Sequence, residues 1–173
     1  MQKIKNLSTA MKYKYTKNLK QIKDSKKLFN YACYWLNRYP CSTLKLKERL
    51  LKKSTNEKQI DEVILRLKEL HYLDDKRIAL NTISNYLKKG YGKNRINMKL
   101  YEKKIFDKDI ISAAWRENEN IQEREIILNL IEKKENHYNL NDAKGKKALI
   151  SYLLRRGFNY DDIIEAMSKK AIL

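Results

Sequence analysis

The chain has 173 residues, 42% of them hydrophobic and 35% charged, and its 39 lysines and arginines against 21 acidic residues give a formal net charge of +18. A chain of this length and apolar content can bury a core, which excludes an intrinsically disordered protein. It contains only four glycines and one proline, and this scarcity of helix breakers and turn residues favours helices over strands. The charge predicts attraction to a polyanion such as nucleic acid, with a merely solvated, lysine-rich surface as the alternative.

Residues 1–26 are predicted to form a basic N-terminal extension, since eight lysines there stand against the single acid Asp24. Two interpretations of it stay open, an electrostatic tether to phosphates and a frayed terminus. The first helix is expected to begin near Lys27, capped by Asp24 or Ser25, and to end at Tyr39-Pro40, because proline cannot continue a helix.

The first three-helix repeat is predicted over residues 27–71. Its second helix covers about residues 43–53, and its third is announced by Asn56 with Gln59 three positions later, which is the spacing of a capping box. Apolar residues recur through that third helix at helical spacing and predict one buried face. They are Ile60, Val63, Ile64, Leu67 and Leu70.

The second repeat is predicted over residues 72–120. It opens at Asp74 and Asp75, whose acidic side chains suit a helix N-terminus. Gly90 is expected to supply a left-handed C-cap, and Gly92 to free the backbone before the next helix. Two further helices follow, at about residues 93–103 and 107–116.

The third repeat is predicted over residues 121–173. Its first helix carries Ile127, Leu130 and Ile131, and a polar interruption separates it from a second helix over about residues 142–156. Gly157 is expected to end that second helix and Asn159 to cap the last one.

One pair of apolar residues, ten positions apart, returns three times along the chain, with a third apolar residue four positions upstream of each pair. The three sets are Leu46, Leu50 and Ile60; Ile96, Leu100 and Ile110; and Leu149, Leu153 and Ile163. A unit of about 50 residues buries little apolar area alone, whereas stacked units share a core. We therefore predict an all-α fold of three tandem three-helix repeats that form an elongated, curved helical array.

No arrangement of residues in the sequence predicts catalysis. The stretch from Gly90 to Lys93 lacks the spacing of a Walker phosphate loop, and Asp74 and Asp75, as neighbours on a helix, point about 100° apart and so favour capping and salt bridging over metal binding. The residues that zinc sites use show no zinc-site spacing: Cys33, Cys41, His71 and His137. We expect a protein that is not an enzyme, with no metal and no cofactor.

Cys33 and Cys41 are expected to be free thiols in a reducing compartment. No apolar run approaches the roughly 20 residues of a membrane span, and the first residues lack the apolar stretch of a signal peptide. We expect a cytoplasmic, monomeric protein.

Ten side chains are the candidates for contact with a partner or with DNA, because they lie in segments whose apolar face is already assigned to the core. They are Lys88, Lys89, Tyr91, Lys93, Arg95, Lys144, Lys146, Lys147, Arg155 and Arg156. For Arg77, Arg95 and Arg156, a salt bridge inside the protein is an equal alternative, for example with Asp74 or Asp161. Among the aromatic residues, Trp35 and Trp115 are expected to pack in the core, and Tyr91, between two glycines, to be the exposed aromatic contact.

Two stretches of the chain carry a family signature. The first runs from Tyr72 to Ala79, with Asp74, Asp75 and Arg77 inside it, and continues with Gly90, Tyr91, Gly92, Ile96 and Leu100. The second is Leu154-Arg155-Arg156-Gly157-Phe158, followed by Ile163. In this order, and with the triple repeat, they resemble the RecX regulatory family over the chain from about Lys27 onward.

The resemblance implies tandem three-helix repeats and a protein that modulates the RecA recombinase, mostly by inhibition, in DNA recombination, DNA repair and the SOS response. Members of the family bind in the groove of the RecA nucleoprotein filament and suppress ATP hydrolysis, filament extension and strand exchange. The implied partners are therefore the RecA filament and single- or double-stranded DNA. A basic helical DNA-binding protein that acts independently of RecA is the alternative.

The chain departs from the family pattern at two turns. The family often has glycine between the second and third helices of a repeat, where this chain has Ser54 and Lys104, and only Gly157 keeps it. A left-handed cap costs about 1 kcal/mol more without glycine, so the first two turns are expected to differ in detail.

Overall fold

A computed structural model describes residues 21–119 and 122–170, so most of the predicted basic extension lies outside the described residues. Within these ranges the chain forms nine α-helices and no strand. In chain order the helices are α1 (Ser25–Arg38), α2 (Thr43–Leu51), α3 (Glu57–Glu69), α4 (Asp75–Lys88), α5 (Lys93–Glu102), α6 (Lys108–Arg116), α7 (Glu123–Lys134), α8 (Ala143–Arg156) and α9 (Tyr160–Lys169). None of the helices in the described ranges combines the length and apolarity needed to cross a membrane.

The chain divides into two compact units, with the boundary between Asp75 and Lys76. In the first unit, α1, α2 and α3 pack around a single apolar core, to which Leu28, Leu46 and Leu67 contribute fully buried side chains. Each such leucine stabilises the fold by roughly 1.5–3 kcal/mol relative to an exposed one. Asp24 caps α1, as predicted, because its carboxylate accepts a hydrogen bond from the Lys27 N–H at 2.7 Å.

The capping box predicted for α3 is only half formed. Asn56 Oδ1 accepts a hydrogen bond from the Gln59 N–H at 3.1 Å, but the Gln59 side chain does not reach back. It turns inward instead, donates to the Lys23 carbonyl and accepts from the Ser54 hydroxyl. The Asn56 N–H donates to that same hydroxyl at 3.2 Å. The expected reciprocal bond was wrong, because a buried amide is stable only when both of its ends find partners.

The second unit contains two apolar clusters. One joins α4, α5 and α6 around Ile83, Ile96 and Leu100. The other joins α7, α8 and α9 around Ile127 and Leu153.

The residues of the triple repeat lie at the centre of these cores. Eight of the nine have no exposed surface, and only Ile110 is half-buried. The prediction of an all-α fold built from three-helix repeats is therefore confirmed, while the exact boundaries drawn between the repeats stay a prediction.

The turns that follow the helices use glycine where the backbone is left-handed. Gly90 (φ +74°) and Gly157 (φ +93°) have this conformation, which confirms their predicted capping role. Among the described residues other than glycine, it occurs at His71 and Lys104, with φ of 57° and 62°. Lys104 thus keeps the family's left-handed turn without its glycine. The first-repeat turn differs: the Ser54 N–H donates to the Leu50 carbonyl in the helical pattern.

Candidate partner-binding site

The two signature stretches of the sequence meet at a junction within the second unit. The Gly92 N–H donates to the Arg156 carbonyl at 2.9 Å, and the Asn94 N–H donates to the Gly157 carbonyl at 3.1 Å. The start of α5 is therefore joined, main chain to main chain, to the end of α8. These bonds satisfy N–H groups that a helix N-terminus otherwise leaves without partners.

Both glycines at the junction are required by space. A Cβ atom on Gly92 would lie 2.5 Å from the Gly157 carbonyl oxygen, and one on Gly157 would lie 2.4 Å from the Arg95 nitrogen. The backbone of Gly92 is ordinary, with φ −85° and ψ 167°. The prediction that Gly92 frees the backbone was wrong in its reason: this glycine is needed because two main chains approach closely, and a side chain has no room there.

The Arg156 side chain also bonds to the main chain at the junction. Its Nη1 donates to the carbonyls of Lys89 (2.7 Å) and Gly90 (2.9 Å). Its guanidinium also lies over the rings of Tyr91 and Tyr152, at 4.9 Å and 5.2 Å from their centroids. The described contacts of Arg156 are thus made inside the protein, with carbonyl oxygens and aromatic faces in place of the Asp161 carboxylate suggested by the sequence.

A side-chain pair adds to the junction. Asn94 Nδ2 donates to Asn159 Oδ1 at 2.8 Å. Asn159 occupies the N-cap position of α9, as predicted, but its side chain makes no capping hydrogen bond there. The Asn159 carboxamide therefore bonds to Asn94 in the preceding repeat instead of capping its own helix.

Gly92, at the N-cap position of α5, has no side chain that could cap the helix, and Glu123 provides the cap instead. The Lys93 N–H donates to its Oε1 at 2.5 Å, so a carboxylate at the first position of α7 closes the N-terminus of α5. Burial raises the pKa of Glu123, and the nearby Asp162 adds to the rise, while the Lys93 N–H opposes it. In the first unit, Asp75 makes the equivalent bond and accepts from the Thr43 N–H at the start of α2.

The candidate cations differ in exposure. Those that reach solvent are Lys88, Lys89, Lys93, Lys144, Lys147 and Arg155. Arg95, Lys146 and Arg156 are half-buried, and Tyr91 is half-buried as well, packed against Tyr86 with ring centroids 5.3 Å apart. Tyr91 is therefore less exposed than the sequence suggested. The exposed lysines and Arg155 are the side chains best placed to meet a partner.

These cations do not form one cluster. Lys144, Lys146 and Lys147 lie within the first turns of α8, the helix that the sequence predicted over about residues 142–156. Arg155 and Arg156 end the same helix, about 17–18 Å along its axis from Lys144 at a rise of about 1.5 Å per residue. The structure thus separates a group at the junction from a group at the start of α8. Exposed lysines in the first turn of a helix oppose the helix dipole, so an anionic partner would stabilise them there.

Five other signature residues have structural roles. Ala79, Ile96, Leu100 and Phe158 are buried in the two apolar clusters of the second unit. Asp75 serves as the cap described above. Their burial explains why such residues mark a fold.

Glu123 and Asn94 were not singled out from the sequence, and Asn159 was predicted only as a helix cap. An acid at the start of the first helix of a repeat is the available signal for Glu123, because Asp75 has the equivalent position in the preceding repeat. For the asparagine pair no local signal exists, since the two residues are 65 positions apart.

Metal ligands and reactive thiols are not prominent in the described part of the chain. It contains no group of three or more His, Cys, Asp or Glu side chains that could hold a metal ion. Cys33 and Cys41 are free, and burial raises the pKa of both thiols. Raised pKa values lower the thiolate fraction and with it the reactivity of these cysteines.

Comparison with known proteins agrees with this architecture. A family model described as "RecX, third three-helix domain" matches residues 122–167. A crystal structure of RecX from Lactobacillus salivarius superposes with a TM-score of 0.76 at 23% identity, covering 86% of this chain and 97% of that one. At that identity the superposition establishes the fold.

Curated relatives extend the match along the sequence. Regulatory protein RecX of Haemophilus influenzae strain PittEE is 31% identical over 142 residues, which cover 82% of this chain and 93% of the relative. Regulatory protein RecX of Acinetobacter baylyi is 29% identical over 162 residues, covering 92% of this chain and 98% of that protein. On this similarity, the chain belongs to the RecX family of regulatory proteins.

Proposed function

We propose that this protein binds the RecA nucleoprotein filament and modulates RecA, mostly by inhibiting ATP hydrolysis, filament extension and strand exchange. The observation that carries the proposal is the 31% identity to a regulatory protein RecX over 93% of that relative's length. In this proposal the protein acts as a cytoplasmic monomer in recombination and DNA repair.

Charge supports a filament as the partner. The net charge of +18 attracts the chain to DNA phosphates and acidic protein groups, and electrostatic steering of this kind raises association rates. Exposed lysines at the junction and at the start of α8 are the proposed contacts.

The proposed action is binding, without catalysis or a cofactor. The Asp75 carboxylate accepts a hydrogen bond from the Thr43 N–H, which gives this acidic residue a capping role. The junction residues likewise bond one another, which gives the unit a fixed surface to present to a partner. Fixed surfaces bind with a lower entropic cost than mobile ones.

The proposal is tested by ATP hydrolysis of RecA on single-stranded DNA. Addition of the protein at substoichiometric amounts is expected to depress the rate, and an unchanged rate over a wide concentration range would contradict it. The Lys88→Glu/Lys89→Glu double variant is expected to inhibit less, because it reverses two exposed charges. Arg156 is left intact, since changing it would also remove hydrogen bonds of the junction. Arg95 is left intact as well, because it is half-buried and its backbone lies against Gly157.

A matched control separates local contact from net charge. Lys108→Glu/Lys133→Glu changes the formal charge of the same unit by the same amount at exposed positions elsewhere. Inhibition that falls equally in both double variants would contradict a specific contact at Lys88 and Lys89. Far-ultraviolet circular dichroism is the check that both variants keep their helices.

A DNA-binding protein that acts independently of RecA is the second candidate, and the net charge of +18 favours it. It predicts salt-sensitive binding to bare DNA, with affinity falling steeply as salt rises, and no change in RecA activity.

A further inference from the structure

The first unit contains a basic cleft that neither the candidate cations nor the signature residues touch. It has a volume of about 550 Å³ and lies where the end of α1 faces α2. Its lining, drawn from the described residues, includes four cations and a single carboxylate, Glu48, together with two aromatic side chains. The residues that matter below are Trp35, Arg38, Tyr39, Lys45, Arg49 and Lys52.

The aromatic side of the cleft is held by the end of α1. Pro40 cannot continue the helix and keeps Tyr39 extended, with φ −137° and ψ 80°. The Tyr39 ring lies 4.5 Å from the Trp35 ring, centroid to centroid, and 52% of the Tyr39 surface is exposed. The Trp35 ring in turn is partly buried and packs against the apolar core of the first unit. A fixed indole thus supports a tyrosine that presents open ring surface.

The cationic side is a stripe along α2 and its C-cap residue, Lys52. Lys45, Arg49 and Lys52 follow one another at spacings of four and three, which places them on the same helix face. The Arg49 guanidinium lies 4.0 Å from the Trp35 ring centroid, and its Nε donates to Tyr31 Oη at 2.8 Å. That bond uses one of the five N–H donors of the guanidinium.

Arg38 completes the cationic rim from α1. Its Nη1 donates to Tyr34 Oη at 2.7 Å, which orients the guanidinium at the exposed end of the helix. Lys45 and Lys52 are exposed on the facing helix. Oriented guanidinium groups match the geometry of phosphate oxygens.

Aromatic surface beside a cationic track is the arrangement that binds single-stranded nucleic acid, where bases stack on rings and cations follow the backbone. We propose that this cleft binds a short segment of single-stranded nucleic acid, with a base against Tyr39 and the flanking phosphates at Arg38, Arg49 and Lys52. The site lies in the other compact unit from the candidate cations, and it does not depend on an effect on RecA.

The ligand class follows from the lining. A purely anionic ligand such as polyphosphate would use the cations but not the ring, whereas a nucleotide segment uses both. A cleft of about 550 Å³ has the size of sites that hold small organic groups.

Tryptophan fluorescence tests the proposal on the full chain. The sequence has two tryptophans, so Trp115→Phe leaves Trp35 as the reporter beside Tyr39. Titration with a single-stranded oligothymidylate is expected to quench that fluorescence to saturation, and inorganic polyphosphate is expected not to. Equal quenching by both ligands, or none by the oligonucleotide, would overturn the base contact.

Variants locate the site by fluorescence anisotropy of a labelled oligonucleotide, in a chain that keeps both tryptophans. Tyr39→Ala is expected to weaken binding about tenfold, the size of one lost stacking contact. Arg38→Glu/Lys52→Glu is expected to weaken it at least as much. Lys58→Glu/Lys68→Glu, on exposed positions of α3, makes the same charge change outside the cleft. Equal losses in both double variants, or full binding by Tyr39→Ala, would overturn the site.

Discussion

Single backbone positions show how this chain departs from its family without losing the fold. Lys104 holds a left-handed conformation, φ +62°, in a turn for which the family uses glycine. Such a conformation brings Cβ close to the following carbonyl and costs roughly 1–2 kcal/mol outside glycine. The end of α5 helps to hold it, since the Lys104 N–H donates to the Tyr101 carbonyl at 2.8 Å.

Lys104→Gly is therefore expected to unfold at higher urea concentration than Lys104→Ala, by about 1 kcal/mol in the free energy of unfolding. The alanine variant removes the same lysine side chain but keeps the left-handed strain. The difference in the free energy of unfolding between the two variants therefore reports the backbone strain alone. Equal stability of the two variants would show that the turn carries no strain.

Glu123 makes the stability of the fold depend on pH. Because burial raises its pKa in the folded state, the folded chain binds a proton more tightly than the unfolded chain. Between the ordinary value of 4.5 and the raised value, the folded chain thus holds more protons, and stability falls as pH rises.

Glu123→Gln removes this titration and keeps an oxygen that can accept from the Lys93 N–H. The variant is expected to gain stability relative to the wild type as pH rises from 4.5 toward neutrality. Urea midpoints measured at several pH values test this, with Glu125→Gln, an exposed position on the same helix, as the control. A difference between Glu123→Gln and wild type that is constant with pH would contradict the assignment.

At the scale of helices, the middle helix of each repeat is capped in a particular way. None of α2, α5 and α8 has an acidic residue in its first turn. Asp75 closes α2 and Glu123 closes α5, each from the first position of the helix that opens the next repeat. For α8 the acid comes from the N-cap itself, since the Asp142 side chain accepts from the Gly145 N–H. Capping of α2 and α5 therefore also ties one part of the chain to another.

The junction between α5 and α8 depends on close approach of two main chains. Gly92→Ala is expected to destabilise the protein by about 2 kcal/mol, because the added Cβ would lie 2.5 Å from a carbonyl oxygen that belongs to backbone and cannot turn away. Urea unfolding measures this loss. Ser112→Ala, at an exposed position of the same unit, is expected to change little, and equal stability of Gly92→Ala and wild type would contradict the close approach.

The sequence allowed the helices and their buried faces to be predicted, because apolar periodicity and caps are local patterns. Leu50, Leu100 and Leu153 are buried where that pattern required it. The junction could not be predicted from local patterns, because Gly92 and Gly157 meet through their backbones and are far apart in the chain. The same holds for Arg156, whose partners are carbonyl oxygens that carry no sequence signature.

For the molecule as a whole, charge and family membership lead to one interpretation. Exposed cations occur in both compact units, on α2 in the first and at the junction and α8 in the second. The charge alone indicated a polyanion. The signature residues were needed to identify the RecX family, and RecA as the partner is proposed from that family. Burial of most signature residues explains why they identify a fold, while the contacts with a partner stay a prediction about the cations.

The central claim is that the RecA filament, and not bare DNA, is the preferred partner. It is tested most directly by the affinity of the protein for a labelled single strand, bare or coated with RecA, at the same salt concentration. We predict binding to the coated strand that is tighter by about tenfold or more, a difference of roughly 1.4 kcal/mol. Equal or weaker binding to the coated strand would contradict the claim and favour a DNA-binding protein that acts independently of RecA.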